Sequence, residues 1–276
     1  TFLDNLAVLA AEMDKIEADK AATAGNFGWQ WKNFTQEDER YYEQLLGWLQ
    51  PVKPEFFDGK IVLEGGCGKG RHTKLAAEWG AKEVVGIDLG EAVESAFDLT
   101  RDLPNAHIVQ CDIFKLPFKK VFEYALSVGV LHHTPDPKKA FLSLAGKVKK
   151  GGHLSAWIYG AENNEWITKY VNPVREGFTS KISQPVLYQL SKLPTLSLFL
   201  TTKLVYRPAN IASKPIASKL FYNDYLNHLG TFGWREHHNI VFDHLVAPTA
   251  FYIGKDDFEK WWAEIGAEDV EITWHN

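Results

Sequence analysis

Residues 62–70 run Val62-Leu63-Glu64-Gly65-Gly66-Cys67-Gly68-Lys69-Gly70, and the reading of this stretch decides the fold. The apolar residues before Glu64 describe a strand from Ile61, and glycines at 66, 68 and 70 describe a tight turn. Arg71 to Trp79 has helical spacing and is stopped by Gly80. Such glycines let a ligand approach the backbone where a Cβ would collide. Spacing excludes two kinds of nucleotide loop. A Gly-x-Gly-x-x-Gly fingerprint needs glycine at 71 or 73, where the chain has Arg71 and Thr73. No Gly-Lys-Ser/Thr follows either, so the turn is not a P-loop. What remains is Glu-x-Gly-x-Gly-x-Gly, which by itself also suits a plain chain reversal.

Outward from this turn, short apolar runs alternate with helical patterns, the texture of a parallel sheet with crossover helices. Glu83 to Asp88 reads as a second strand, with a helix through Ala92 and Leu99 after it. Ala106 to Gln110 is the third strand and Phe122 to Val128 the fourth. Pro135 and Pro137 suit the first turn of a helix striped by Ala140, Phe141, Leu144 and Val148. Gly151-Gly152 is expected to end that helix, and His153 to Tyr159 to form the fifth strand. Phe258, Trp261, Trp262 and Ile265 share one helical face capped by Gly266, and Val270 to Trp274 is expected as a last, antiparallel strand. Before the sheet, Phe2, Leu3, Leu6, Leu9, Ala10, Met13 and Ile16 recur at helical spacing. A second helix is expected after Thr35, whose hydroxyl caps the amide near Asp38, with Tyr41, Tyr42, Leu45, Leu46 and Leu49 as its apolar face.

Composition narrows the partners. Thirty Lys plus Arg against thirty-five Asp plus Glu give a net charge of −5, which does not favour a polyanion, so no nucleic acid is expected. Two cysteines, Cys67 and Cys111, are too few for a disulfide framework and lack metal-type spacing, so no metal is expected and a cytoplasmic location fits. The stretch from Val186 to Tyr206 is Leu-rich, but Gln189, Lys192, Pro194 and Lys203 are costly across a bilayer. It reads as cap or core, with no stable membrane insertion. The chain begins at Thr1, so its own start is expected upstream.

Three further segments follow the glycine turn in order. Asp88 ends the second strand eighteen residues past Gly70, where a carboxylate can accept from both hydroxyls of a ribose; as a bland alternative it caps the next helix. Gln110-Cys111-Asp112-Ile113 follows the third strand. Ser127-Val128-Gly129-Val130-Leu131-His132-His133-Thr134-Pro135-Asp136-Pro137 follows the fourth. Together these segments resemble class I, Rossmann-like S-adenosylmethionine-dependent methyltransferases, and the last is similar to the small-molecule-type subfamily. The resemblance implies an α/β fold with a doubly wound, mostly parallel sheet, N-terminal helices and a helical cap insertion. It implies S-adenosyl-L-methionine as cofactor, with S-adenosyl-L-homocysteine as product. Glu64, Gly65, Gly66, Cys67, Gly68, Gly70 and Arg71 would surround the methionine portion, and Asp88 and Leu89 the ribose. Asp112 and Ile113 would meet the adenine, and Ser127 and Val128 would pass the sulfonium.

The expected division is 1–50 as a helical lid segment, 51–160 as the cofactor core, 161–238 as a cap insertion and 239–276 as the end of the core. His133, and after it His132, are candidate bases for an acceptor hydroxyl; either residue equally well serves only to hold the loop. Phe27, Trp29, Trp31 and Phe34 offer rigid apolar walls for an acceptor, or simply pack the N-terminal helices. Arg175, Arg207, Arg235, His237 and His238 are available to hold an anionic group, although most such side chains on an insertion face solvent. The leading expectation is a small, partly apolar acceptor enclosed by the insertion, which also offers a surface for a homodimer. A protein or tRNA acceptor, a cofactor-binding regulatory protein without turnover, and transfer of another part of a sulfonium cofactor stay open.

Overall fold

The computed structural model of the protein describes residues 2–33 and 40–274. The expected cap at Thr35 and the candidate Phe34 lie outside the described residues. The chain divides into two compact units, one of Thr1–Asn172 with Pro248–Thr273 and one containing Pro173–Ala247.

The first unit is built on five strands: β1 (Ile61–Gly65), β2 (Glu83–Asp88), β3 (Ala106–Gln110), β4 (Phe122–Val128) and β5 (Val148–Trp157). They lie in the order β3-β2-β1-β4-β5 with every pair parallel. Helices α1 (Phe2–Asn33) and α2 (Arg40–Leu49) precede β1, while α3 (Arg71–Glu78), α4 (Ala92–Thr100) and α5 (Pro137–Ala145) cross between strands. Alternation along the strands buries both faces. Leu63, Ile87 and Ala125 pack with Phe141 and Leu144 of α5 and with Phe258 and Trp261. Val62, Val84, Tyr124 and Leu126 pack with Leu45 and Leu49 of α2 and Ala76 and Ala77 of α3. Because strand order reverses between β1 and β4, a crevice opens beyond their carboxyl ends, where ligands of such sheets sit.

Two expectations about this unit need correction. Gly151-Gly152 does not end α5, which stops at Ala145, and Val148 belongs to β5 rather than to the helix stripe. The glycine pair sits where the β4–β5 register shifts between Phe122 and Tyr124. Gly151 has φ +75, and a Cβ on Gly152 would lie 2.8 Å from the Glu123 carbonyl. The pair therefore serves a bulge. Residues 270–274 form no strand. Val270 and Trp274 stay exposed and only Ile272 reaches the core, so little apolar gain would favour pairing there.

The second unit is helical: after α6 (Asn172–Gly177) come α7 (Gln184–Leu190), α8 (Lys192–Thr201), α9 (Arg207–Ala212), α10 (Lys214–Ala217), α11 (Asn223–Leu229) and α12 (Trp234–Val246). Thr202–Tyr206 joins α8 to α9 through a π-helical turn. The Leu-rich stretch lies within this helical unit, where Leu187 and Tyr206 are buried. Its leucines 193, 196, 200 and 204 are exposed, while Ser191, Thr195 and Thr202 are buried alongside them. Among the described residues no helix is long and apolar enough to cross a membrane. The chain returns to the first unit for α13 (Lys255–Glu264), entered from Gly254 and followed by Gly266 at φ +65.

Candidate functional site

The turn after β1 bends back under β2. The amides of Gly66 and Cys67 both donate to the Ile87 carbonyl, at 2.8 and 2.7 Å, and Gly70 donates to Cys67. Gly66 has φ +78 and a Cβ there would lie 2.4 Å from the Val130 methyls; Gly68 has φ +51 and a Cβ there would lie 3.1 Å from the Trp31 indole nitrogen. Gly66 admits only glycine, for backbone and for space, while at Gly68 the left-handed backbone favours glycine and a Cβ would press on the Trp31 indole. The space above them is shared with protein side chains as well as any ligand.

Glu64 is buried at the end of β1. It accepts from the Thr73 hydroxyl and pairs with His72 Nδ1 at 3.1 Å, so the first turn of α3 orients its carboxylate. Asp88 ends β2 and uses both oxygens: Gly68 donates to Oδ2 and Gly90 to Oδ1, each at 2.9 Å. Burial raises the Asp88 pKa, and the Gly90 and Gly68 amides pull it only partway back. Each carboxylate oxygen keeps a lone pair for a further donor. Cys67 is buried, and that burial pushes its thiol well above the ordinary value.

Asp112, beyond β3, is paired with Lys20 of α1 at 2.6 Å and accepts from the Phe114 amide at 2.9 Å. Burial alone would raise the Asp112 pKa, but the Lys20 ammonium and the Phe114 amide outweigh it and hold the acid lowered. On Lys20, burial acts downward and is overcome by Asp112 and Glu17, which leave its pKa raised. Helix α1 meets the sheet edge in strand order. Lys20 reaches Asp112 beyond β3, the Ala24 carbonyl and Gly28 approach Gly90 and Glu91 beyond β2, and Trp31 meets Gly68 beyond β1. Arg71 stacks on Tyr41 and Trp31, at 4.2 and 5.5 Å from the ring centres. Ile113 and Leu144 approach Gly65, Leu89 is exposed, and the Ser127 hydroxyl donates to the Gly65 carbonyl. Val128 is buried and leads into Gly129 at φ +74.

The two histidines beyond β4 differ. His132 is fully buried, stacked on Tyr159 at 3.8 Å, and its Nδ1 accepts from the Tyr159 amide at 3.4 Å. His133 Nδ1 lies 2.8 Å from the Thr249 carbonyl, which requires a proton on Nδ1 and leaves Nε2 as the acceptor of the neutral ring. His133 contacts Phe27 at 4.9 Å and lines a cleft of about 270 Å³ with Lys15, Ile16, Asp19, Thr23, Pro135, Thr249 and Phe251. Lys20, His72, Thr73, Tyr159 and Thr249 carry no signal in the sequence, because each acts through a contact with another element.

The structure thus brings Glu64, the glycine turn, Asp88, Asp112, Ser127 and His133 to one edge of the sheet. Trp31 joins them, whereas the backbone of Trp29 accepts from Asn33 within α1. Arg175, Arg207, His237 and His238 lie in the second unit and engage their own helices. Arg175 is buried beside Glu176, and Arg207 donates to Asn227. The Thr202 hydroxyl lies 2.8 Å from His237 Nε2, and Ser191 lies 2.8 Å from His238. Burial first lowers the pKa of both histidines. Among the described residues no group of three His, Cys, Asp or Glu side chains is placed to hold a metal ion.

Residues 63–156 match the family model described as "Methyltransferase domain". A tRNA U34 carboxymethyltransferase of Pseudoalteromonas translucida is 31% identical over 128 residues, 44% of this chain and 38% of that protein. One of Proteus mirabilis is 32% identical over 117 residues, 41% of this chain and 35% of that protein. The matched part thus spans little more than a third of these curated relatives. A chain of the complex between the Haloferax volcanii Trm112 methyltransferase activator and a methyltransferase is 22% identical with a TM-score of 0.45, covering 53% of this chain and 66% of that one. The chain carries a class I S-adenosylmethionine-dependent methyltransferase domain. These relatives overturn the expectation that nucleic acid is no partner, since their names place tRNA among their substrates. Net charge could not decide the point, because it averages over the whole chain.

Proposed function

We propose, on the premise of that domain, that the chain binds S-adenosylmethionine at the β1–β2–β3 edge and transfers a group from its sulfonium to a tRNA nucleoside. The observation that carries the cofactor reading is the convergence of Glu64, Gly68, Asp88 and Asp112 at the carboxyl ends of three adjacent strands. The donor set fits the group. A carboxylate with a lone pair left on each oxygen suits two ribose hydroxyls, and an oriented buried Glu64 suits an amino acid's ammonium. When bound, the cofactor supplies an alkyl carbon on a positively charged sulfur, open to displacement by a nucleophile in line with the bond that breaks.

Alignment is the larger part of the protein's task. Val128 and Gly129 carry the backbone past the reacting carbon, and the His133 cleft holds the acceptor. Its volume of about 270 Å³ suits a single extruded base better than a duplex. His133 Nε2 takes the acceptor's proton as the new bond forms, while the Thr249 carbonyl keeps the other ring nitrogen protonated. His132, enclosed by Tyr159, holds the loop. The relatives' names support tRNA over the small molecule expected from the resemblance of the segment after β4.

The test is incubation with S-adenosylmethionine labelled on its methyl group and deproteinised bulk tRNA, followed by mass spectrometry of the digested nucleosides. We expect one labelled nucleoside, heavier than its unmodified form by the labelled methyl group, the only group this donor can transfer. Calorimetric binding of the cofactor with no labelled nucleoside would remove the tRNA acceptor and keep the cofactor. Absence of binding to both S-adenosylmethionine and S-adenosylhomocysteine would remove both.

A further inference from the structure

Helix α8 and its continuation turn most of their leucines to solvent. The inward side mixes hydroxyls with rings: Ser191 meets His238, Thr202 meets His237, Thr195 meets the Ser191 carbonyl, Tyr206 is buried and Phe199 packs on Trp234 and His237. The outer side carries Leu193, Leu196, Leu200, Leu204 and Ile211, at spacings of three, four, four and seven, which is one helical face. Leu193 is 75% exposed, Leu204 68% and Ile211 79%. A water-facing bundle turns such a stripe inward. Phe178, Val186, Leu190, Ile216 and Phe221 on neighbouring segments are exposed as well. So much apolar surface on one helical unit marks an interaction site rather than scattered surface residues.

Charge identifies what covers it. Lys181, Lys192, Lys214 and Lys219 are exposed, and the stretch holds no acid to offset them. A second copy would bring the same positive charge against this face in a two-fold contact, which opposes pairing. An RNA would satisfy the lysines and leave the leucines in water. An anionic bilayer satisfies both, since acyl chains take the leucine stripe and phosphate headgroups take the lysines, whose stems let the ammonium reach outward. With no helix among the described residues able to span, the mode is docking in the plane of the interface.

We propose that residues 178–221 form a docking surface for anionic lipid membranes, with Leu193, Leu196, Leu200 and Leu204 entering the headgroup boundary. The inference does not rest on the identity of the acceptor. The test is flotation of the full chain with vesicles of phosphatidylcholine containing about one third phosphatidylglycerol, against phosphatidylcholine alone. We expect co-flotation with the anionic vesicles, about tenfold less with neutral ones, and weakening by salt. The variant Leu196→Ser/Leu200→Ser/Leu204→Ser alters only exposed positions, so it keeps its circular dichroism and its calorimetric response to S-adenosylmethionine while flotation falls about tenfold. The proposal fails if the wild type does not float with anionic vesicles, or if the leucine variant floats as well as the wild type. It also fails if light scattering finds a wild-type dimer that the variant turns into a monomer, or if the variant loses retention of tRNA in a gel shift.

Discussion

Gly66 offers a perturbation whose cost separates into two parts. In Gly66→Ala the residue must hold φ +78, the left-handed region, at about 1–2 kcal/mol for an L-residue. The new Cβ would also lie 2.4 Å from the methyls of Val130, and overpacking of this kind costs about 1–3 kcal/mol. The single variant therefore loses about 2–5 kcal/mol at the turn. Val130→Ala removes the obstructing methyls, so the double variant recovers the steric part and keeps the backbone part, a coupling of about 1–3 kcal/mol between the two sites. Hydrogen exchange of the Gly66, Cys67 and β1 amides reads the local stability, because the first two donate to Ile87 across the turn. Calorimetry with S-adenosylmethionine reads the function, expected to weaken in the single variant and partly return in the double. Strictly additive penalties in both assays would refute the packing of Val130 on Gly66.

Asp88→Ala removes an acceptor for two backbone amides and for the proposed ribose. Cofactor affinity should fall by at least about tenfold, since a hydrogen bond to a charged group contributes about 1.5–3 kcal/mol; unchanged affinity in a folded variant rules out the ribose role. His133→Ala should abolish transfer to an acceptor hydroxyl while leaving cofactor binding intact, and turnover retained at every pH eliminates it as the base. Burial, and then the Arg175 charge, push the pKa of His244 from the ordinary 6.5 down to about 4. Between those values the unfolded chain binds more protons than the folded one, so stability is full above the upper value and is lost as pH falls toward the lower. The slope is at most about 1.4 kcal/mol per pH unit for that one proton. The unfolding midpoint should drop between neutral and mildly acidic pH, and His244→Leu should flatten part of that drop. An unaltered pH dependence would show that His244 titrates normally.

What could be read in the sequence was what neighbouring residues decide. The strands from Ile61, Glu83, Ala106 and Phe122 announce themselves as short apolar runs, and the acids at 64, 88 and 112 sit at their ends. The same logic failed at Gly151-Gly152, because a glycine pair signals a break without saying whether a helix or a strand is broken. It failed at Val270, where a strand-like run found no apolar gain in pairing. The Lys20–Asp112 pair joins residues ninety-two positions apart, and nothing around Lys20 marks it as other than a solvated helix lysine. The Leu-rich stretch shows another limit. Apolar periodicity gives the helix and its two faces, but not which face turns inward, and here buried hydroxyls meeting His237 and His238 decided it.

The strand-ordered contacts of α1 make its length between Lys20 and Trp31 a fixed quantity. Eleven residues advance the helix about 16 Å, and each residue turns it by about 100°. One residue inserted there would swing Trp31 away from Gly68 while Lys20 still held Asp112, and one deleted would swing it the other way. This helix therefore keeps phase with the sheet edge as a toothed bar does with a gear. Its outward positions are free to vary in chemistry, while its reading frame between those two contacts is not free to slip.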